Sequence, residues 1–372
     1  MNNKEFTIKK VTLSSSSVNI AWEDNQISHF HFLWLRDNCP SNEHPDARQK
    51  IFNIINVSEN IHPKKYFVND IGNLEIIWSE GNYHSCYDAK WLKKHCYTIK
   101  NKQTYKSPYK FWESKFHKHL SKIKIEHDDI MKSDEALLKW LKLLIKYGFS
   151  IIKNSPIEKK SAFKILNRIS HVRETFFKTP FEVINIPKPN NAAYTSAGLF
   201  NHTDLPYFEY APGYQFLHCL INEAKGGDSS VVDGYAVADY IKKNIPNIFN
   251  QLINTPIKFK DNDYTQNKTR IIHSPIITLD ENKDYSDIRF NISTVGAFDI
   301  HPNKMKKYYS SYRKFASLVH KKKFTVNFRL QAGDILCFNN RRVLHGRTSF
   351  EPNSGKRHLQ GYYMDRDELL GR

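Results

Sequence analysis

The sequence predicts a mainly β protein with flanking helices, in which a small β-rich domain precedes a larger β-sandwich or barrel. Short alternating segments such as FTIKKVTL, ISHFHFLWL and NLEIIW recur between residues 5 and 100, broken by Asn, Gly and Ser. A second series of short strand-like segments follows two predicted helices. We therefore expect an N-terminal domain at 1–100 and a second domain at 131–372, joined by a polar, lysine-rich linker at 101–130.

Two helices are predicted at the start of the second domain. The first, SDEALLKWLKLLIKYG, has apolar residues at helical spacing, with Ser133 as its N-cap and Gly148 as its stop. The segment FSIIKN predicts a strand, and KSAFKILNRISHV predicts the second helix. Later segments such as YQFLHCLI, SSVVDGY, FTVNFRL and DILCFNN are strand-like. Closed into a jelly roll, these strands would enclose a small pocket.

Composition places the chain among globular proteins. Its 372 residues are 40% hydrophobic and 13% aromatic, which is sufficient for a sizeable core. The N-terminal residues lack a signal-peptide pattern, and no run of apolar residues is long enough to cross a membrane. The five cysteines are odd in number and lack CxxC spacing, which is typical of a reducing compartment. We expect a cytoplasmic protein without a membrane partner.

The formal charge of +18 raises the question of a polyanionic partner. The lysines are spread over the chain, with Lys321 to Lys323 as the longest run, and no nucleic-acid-binding motif is present. We therefore expect no nucleic-acid partner. A non-catalytic basic β-barrel that binds a polyanion stays open as the alternative to an enzyme.

One motif selects a candidate metal site. The spacing His-x-Asp occurs three times, at His44/Asp46, His127/Asp129 and His202/Asp204. The first pair spans a proline in a loop, and the second lies in the charged segment KIEHDDIMK, where we expect solvated side chains. The third pair has the surroundings of a strand, on which residues i and i+2 face the same side. His202 and Asp204 are therefore the predicted pair of ligands.

A companion set lies far downstream, in GDILCFNNRRVLHGRTSFEPNSGKRHLQGYY. It contains His345 and, twelve residues later, Arg357. Two histidines and one carboxylate leave open positions on a metal, as non-haem Fe(II) oxygen chemistry requires. An arginine nearby suits the far carboxylate of 2-oxoglutarate, because guanidinium and carboxylate form a planar bidentate pair.

These motifs make the sequence resemble the γ-butyrobetaine and trimethyllysine dioxygenases, within the wider taurine-dioxygenase-like family that depends on Fe(II) and 2-oxoglutarate. The matching segments are FLWLRDNCPSNEHPD, YTSAGLFNHTDLPYF, PGYQFLHCL, KGGDSSVVDGY, AGDILCFNNRRVLHGRTSF and RHLQGYYMDRDEL. They occur in the family's order over nearly the whole chain. The resemblance implies a double-stranded β-helix, or jelly roll, with His202, Asp204 and His345 as iron ligands.

The resemblance also implies the other reactants. Arg357 would bind the 2-oxoglutarate carboxylate, and Ser229 would lie near that cosubstrate, although a simple turn hydroxyl is an equal alternative for Ser229. O₂ would be the second cosubstrate and ascorbate an accessory reductant. A homodimer is expected on the same basis.

The substrate prediction depends on how a protein can bind a quaternary ammonium, which has no N–H to donate and is held by aromatic faces. By resemblance, Phe177, Phe181, Tyr194 and Tyr363 fall on the family's aromatic cage, where relatives have Tyr and Trp in place of the two phenylalanines. The substitutions imply weaker binding, an altered substrate or a cage completed by other groups. Asn191 and Asn291 resemble polar positions of the pocket, and Asn291 would suit the substrate's carboxylate, with turn or strand amides as the alternative.

The predicted reaction is the hydroxylation of a trimethylammonium-bearing, zwitterionic acid, with γ-butyrobetaine giving L-carnitine. Trimethyllysine and a trimethylammonio-phosphonate are the alternative substrates within the class.

The N-terminal domain of relatives carries zinc on three cysteines and a histidine. In this chain the corresponding run is CPSNEH, which retains Cys39, has Ser41 in place of a second cysteine and His44 in place of a third, while His84 matches the later histidine. Structural zinc sites are almost always closed and four-coordinate. We therefore expect the zinc site to be lost or weakened.

Overall fold

The computed structural model describes residues 3–98, 107–186, 194–264 and 266–371. The chain divides into two units, Met1–Lys106 and Ser107–Arg372. In the part of the chain that the structure describes, no helix has the length and apolar character needed to cross a membrane.

The N-terminal unit consists of two three-stranded antiparallel sheets. Its strands are β1 (Ile8–Leu13), β2 (Ser17–Trp22), β3 (Ile27–His31), β4 (Pro63–Val68), β5 (Leu74–Trp78) and β6 (His84–Tyr87), and its helices are α1 (Phe32–Asp37) and α2 (Ala89–Lys94). Trp22 and Trp78 are fully buried, and each indole N–H donates to a serine hydroxyl, Ser28 and Ser85. The β-rich character predicted for this region is confirmed.

The second unit contains most of the strands. They are β7 (Lys124–Glu126), β8 (Phe149–Lys153), β9 (Phe181–Ile184), β10 (Leu199–His202), β11 (Tyr214–Asn222), β12 (Ser229–Asp233), β13 (Ile257–Asp263), β14 (Lys268–Ser274), β15 (Ile277–Leu279), β16 (Tyr285–Ile288), β17 (Thr325–Phe328), β18 (Ile335–Asn339), β19 (Val343–Arg347) and β20 (Arg357–Met364). The helices are α3 (His127–Lys132), α4 (Asp134–Tyr147), α5 (Ala162–Leu166), α6 (Gly234–Asn244), α7 (Pro246–Asn254), α8 (Pro302–Val319) and α9 (Arg366–Leu370).

Two sheets form the jelly roll of this unit. One has the order β7-β8-β18-β11-β20-β9, and the other has the order β10-β19-β12-β17. Strands distant in sequence alternate within each sheet, which is the crossing pattern of a double-stranded β-helix. Both sheets contribute to one apolar core, for example Phe338 and Leu359 from the first and Val231 and Leu344 from the second. The predicted fold class is confirmed.

Helix α4 forms where the sequence predicted a helix, and it packs against the six-stranded sheet. The Ser133 hydroxyl accepts from the Ala136 N–H and caps the helix, and Gly148 ends it in the left-handed region with φ of 78°. Trp140 is fully buried on this helix, and its indole N–H donates to Ser150 on β8. The cap, the stop and the apolar spacing together explain why this element is where the sequence indicated.

The sequence predicted a linker at 101–130. In the structure, residues 107–130 belong to the second unit. A 3₁₀ helix at Ser114–Ile123 leads into β7, which pairs in parallel with β8. Leu120 and Ile123 are buried while the lysines between and around them are exposed, so the polar composition concealed two core positions. His127, expected to be solvated, is also buried. Residues 101–106 lie outside the described part of the chain.

Candidate active site

Pairing between β10 and β19 brings the predicted metal ligands together. His202 lies directly opposite His345, and their ring centroids are 4.5 Å apart. The Asp204 Oδ1 atom is 3.1 Å from His202 Nε2 and 3.8 Å from His345 Nε2. Among the described residues, these three form the one group of His, Cys, Asp or Glu side chains arranged to hold a metal ion. The donor set of two imidazoles and a carboxylate fits Fe(II).

The orientation of each ligand has a local cause. His202 Nδ1–H donates to the Phe200 carbonyl at 2.7 Å, which leaves the Nε2 lone pair for a metal. Asp204 lies beyond the end of β10, so strand alternation does not direct it as the sequence argument assumed. Instead, the buried Asn340 amide accepts from the Asp204 N–H at 2.8 Å and donates to the Asp204 carbonyl at 3.0 Å. Asn340 was missed, although it lies in the FNNRR segment next to His345.

Asp204 and His345 are held in the protonation states that ligation needs, whereas His202 is shifted toward its protonated form. Burial raises the pKa of the Asp204 carboxyl, but His345, His202 and the Tyr363 hydroxyl outweigh that effect and hold the pKa well below its usual range. Burial and the nearby charge of His202 lower the pKa of His345 to about 3. Burial also opposes the charged form of His202, yet its hydrogen bond to Asp204 raises the pKa. An ionised carboxylate and a neutral imidazole are the ligand forms that bind metals.

A small cavity of about 80 Å³ extends from the triad toward two arginines. Ser229 and Arg357, the two residues that the resemblance assigns to the cosubstrate, line it, and Arg347 lines it as well. Burial lowers the pKa of Arg357, whose Nε is buried without a hydrogen-bond partner, and no described carboxylate pairs with this guanidinium. A partly buried cation without an acidic partner is unfavourable. An anion such as the far carboxylate of 2-oxoglutarate would satisfy it.

Arg347 was not identified from the sequence. Its guanidinium donates to the carbonyls of Thr195 and of Ala197, the latter at 3.2 Å. Burial and the charge of Arg357 lower the pKa of Arg347 to about 10. Because Arg347 follows the ligand His345 by two residues, it connects the metal-binding strand to the segment that follows Tyr194.

A larger pocket of about 360 Å³ borders the triad at His202 and Asp204. The four predicted aromatic residues, Phe177, Phe181, Tyr194 and Tyr363, all line it. The rings of Phe181 and Tyr363 stack with centroids 4.9 Å apart, and the Phe177 ring is 6.2 Å from that of Phe181.

Gly361 makes room for this arrangement. It pairs with Phe181 across β20 and β9, and a Cβ at Gly361 would lie 2.0 Å from the Phe181 ring. Any larger residue would therefore displace the ring from the pocket wall.

The polar lining includes one predicted residue and one that was missed. Asn291 lines the pocket, and its side-chain oxygen accepts from the Ser293 N–H at 3.0 Å. Asp261 also lines the pocket, but nothing in its surrounding sequence, IKFKDND, marked it. Asn191 lies outside the described residues.

The three candidate zinc ligands of the N-terminal unit have other partners. Cys39 Sγ is 3.0 Å from the Ser41 hydroxyl, His44 Nδ1 accepts from the Ala47 N–H at 3.1 Å, and His84 Nε2 is 2.8 Å from a Glu75 oxygen. Within the described ranges these side chains are not gathered into a metal-binding group.

Comparisons with known proteins agree with this site. Residues 113–363 match the family described as "Taurine catabolism dioxygenase TauD, TfdA family", and residues 9–131 match "Gamma-butyrobetaine hydroxylase-like, N-terminal". A solved structure described as a putative alpha-ketoglutarate-dependent taurine dioxygenase from Burkholderia xenovorans has a similar fold, with a TM-score of 0.51 at 14% identity, covering 65% of this chain and 88% of that one.

Curated relatives extend the match to both units. Gamma-butyrobetaine dioxygenase of Pseudomonas sp. strain AK-1 is 36% identical over 365 residues, covering 96% of this chain and 93% of the relative. The enzyme of that name from Homo sapiens is 31% identical over 366 residues, covering 95% and 92%. Trimethyllysine dioxygenase of Meyerozyma guilliermondii is 26% identical, covering 100% and 96%.

The fold, the His-Asp-His group and these matches define an Fe(II)- and 2-oxoglutarate-dependent dioxygenase, which uses O₂ as cosubstrate. More narrowly, the chain belongs to the γ-butyrobetaine dioxygenase family, because enzymes of that name resemble it along nearly its whole length. The chain is therefore an enzyme, and the alternative of a non-catalytic barrel for polyanions is set aside.

Proposed function

We propose that this dioxygenase hydroxylates γ-butyrobetaine to L-carnitine. The observation that carries the proposal is the pocket of about 360 Å³, in which aromatic faces line the approach to His202 and Asp204. A trimethylammonium group can be held only by such faces and by negative potential, since it has no proton to donate. Hydroxylation of a carbon a few bonds from that group requires the aromatic faces and the metal ligands to border the same cavity.

In this proposal, His202, Asp204 and His345 hold the iron. When bound, Fe(II) with 2-oxoglutarate and O₂ supplies the oxidising power for the C–H bond, and the coproducts are succinate and CO₂. Ascorbate would keep the iron reduced.

The second group of proposed roles concerns the cosubstrate. Arg357 binds the 2-oxoglutarate carboxylate far from the metal, which removes the cost of its own buried charge. Ser229, buried on the wall of the same small cavity, adds a hydroxyl that can donate to that carboxylate. Together they fix the orientation of the cosubstrate.

The third group concerns the substrate. Phe177, Phe181, Tyr194 and Tyr363 surround its trimethylammonium end, and Asn291 meets its carboxylate. Asn191 is proposed for the same end, on the basis of the resemblance alone. The protein's contribution is to hold the target carbon in one orientation and to keep water away.

Trimethyllysine and a trimethylammonio-phosphonate are the competing substrates, since both carry the same cationic group. Trimethyllysine also has an α-amino group that would need an acceptor near Asn291. Gamma-butyrobetaine is favoured because the two relatives of highest identity described above are named for it.

The test is succinate release by enzyme loaded anaerobically with Fe(II), then supplied with 2-oxoglutarate, O₂ and each of the three substrates in turn. We expect γ-butyrobetaine to stimulate turnover most strongly. His202→Ala should abolish the stimulation while circular dichroism shows an unchanged fold. Greater stimulation by either rival, or none by any substrate, would contradict the proposed substrate.

A homodimer and a cytoplasmic location belong to the same proposal and rest on the family resemblance and the sequence. Light scattering after size-exclusion chromatography would measure the mass against the 43.7 kDa of one chain. A monomeric mass at micromolar concentration would contradict the dimer. Cell fractionation tests the location.

A further inference from the structure

The substrate pocket contains a carboxylate to which the comparisons give no role. Asp261 lies on β13, where the buried Ile257 and Phe259 alternate with exposed or half-buried neighbours and share its face of the strand. The Asp261 side chain is 22% exposed and lines the pocket together with Phe177 and Tyr363. It is therefore the charged group of β13 that faces the cavity.

The charge of Asp261 is only partly neutralised. Arg270, its partner across the β13–β14 hairpin, is 3.0 Å from an Asp261 oxygen and 3.9 Å from an Asp263 oxygen. Two carboxylates thus lie beside one guanidinium, so Arg270 alone does not neutralise both. The Arg270 guanidinium packs over the Phe176 ring at 4.2 Å, and that ring is 4.1 Å from the ring of Phe177. The arginine is thereby held against the aromatic wall.

A neighbouring phenol responds to this charge within the pocket. Tyr207 is buried and lines the same cavity. Burial raises the pKa of Tyr207, and the charges of Asp261 and then Asp204 raise it further above its usual range. Asp261 and Tyr207 therefore line one cavity, in which the Asp261 carboxylate lies beside the other groups of the wall.

We propose that the Asp261 carboxylate supplies the negative charge that binds the cationic end of the substrate. The inference rests on the proposed function and adds a determinant of specificity to it. Phenylalanine faces attract a cation less strongly than the face of tryptophan. A partly buried carboxylate compensates, because its attraction for a cation acts over several ångströms at reduced dielectric. The same charge disfavours neutral and anionic groups in that part of the pocket.

The experiment compares binding of γ-butyrobetaine with binding of its neutral isostere, in which a tert-butyl group replaces trimethylammonium. Calorimetric titrations use the full-length enzyme loaded anaerobically with Fe(II) and 2-oxoglutarate. We expect the wild type to bind γ-butyrobetaine more tightly than its neutral isostere. In Asp261→Asn the ratio of the two affinities should fall about tenfold, since a charge pair at intermediate dielectric contributes at least that much. Affinity for the isostere should change less than about twofold, because it carries no charge to lose.

Asp239→Asn is the control, because it removes a carboxylate on α6 that neither lines the pocket nor pairs with Arg270. It should retain the preference for the cation, and Asp261→Glu should restore most of it. Equal weakening of both ligands in Asp261→Asn would show a structural role and overturn the proposal. An unchanged preference in a variant that still binds γ-butyrobetaine would also overturn it and leave the proposed function intact. Failure of the wild type to bind γ-butyrobetaine would overturn both.

Discussion

The Tyr363 hydroxyl donates a hydrogen bond to Asp204 Oδ2 at 2.7 Å, so one residue contacts both the aromatic pocket and the metal-binding group. The bond occupies one carboxylate oxygen and leaves Oδ1 directed at His202 and His345. The tyrosine ring at the same time stacks on Phe181. The aromatic wall of the pocket is therefore hydrogen-bonded to the metal-binding group through Tyr363.

Tyr363→Phe should keep the ring and lose the orienting bond. Because a hydrogen bond to a charged group contributes about 1.5 to 3 kcal/mol, we expect Fe(II) affinity or kcat/KM to fall by about tenfold or more. Metal titration and steady-state kinetics would measure the two effects. Tyr362→Phe is the control, since its hydroxyl bonds to Gln360 instead. Equal effects of the two substitutions would contradict the prediction.

Asn340→Asp should weaken iron binding, although its shape is nearly unchanged. The substitution replaces the amide N–H groups that donate to the carbonyls of Asp204 and Pro212 with a carboxylate oxygen that repels them. We expect Fe(II) affinity to fall by at least about tenfold, because leaving buried acceptors unpaired costs roughly 1 to 3 kcal/mol each. Equilibrium dialysis would measure the affinity. The exposed substitution Asn244→Asp should have no effect, and full affinity in Asn340→Asp would refute the assigned positioning role.

Arg357→Gln should raise the KM for 2-oxoglutarate more than the KM for the substrate. Loss of one partner of a buried charge pair typically costs 2 kcal/mol or more, which corresponds to an increase of at least about thirtyfold. Initial rates at varied 2-oxoglutarate concentration are the measurement, with exposed Lys356→Gln as the control. An unchanged KM would mean that another group, such as Arg347, binds the cosubstrate.

Gly361→Ala should damage the substrate pocket. Its new methyl group would lie 2.0 Å from the Phe181 ring and would force that ring out of position. We expect the substrate KM to rise by about tenfold, as overpacking of this kind typically costs 1 to 3 kcal/mol. Initial rates at varied substrate concentration would measure the change in KM. The double variant Gly361→Ala with Phe181→Leu should recover affinity if the clash is the cause.

Acid should destabilise the second unit through His218. This histidine is fully buried on β11, and burial lowers its pKa from 6.5 to about 4, with the nearby His127 contributing. The unfolded chain therefore binds a proton between these values when the folded chain does not. Stability is fully present above about pH 6.5 and is lost as the pH falls toward 4.

The expected loss between pH 7.5 and 5 is about 2 kcal/mol, from the linkage of one such group. Denaturant unfolding at the two pH values would measure it. His218→Gln should remove this part of the pH dependence, whereas exposed His171→Gln should retain it. The same pH dependence in both variants would exclude His218 as the cause.

Local sequence patterns predicted those elements whose stabilising contacts are near in the chain. Helix α4 began and ended where Ser133 and Gly148 indicated, because a cap and a left-handed stop act within one turn. The segment around Ile123 was misread, since its burial depends on pairing of β7 with β8, which composition does not reveal. The burial of His127, which directly follows β7, was not predicted for the same reason.

The sequence by itself determined the mainly β class, the choice of His202 and Asp204 over two similar pairs, and the family with its reactants. Only the tertiary structure placed His345 opposite His202, attached Asp204 to Asn340 and brought Asp261 to the pocket wall. The reason is that motifs are read over a few neighbouring residues, whereas these contacts join residues many positions apart. Their geometry follows from strand register, which the whole core decides.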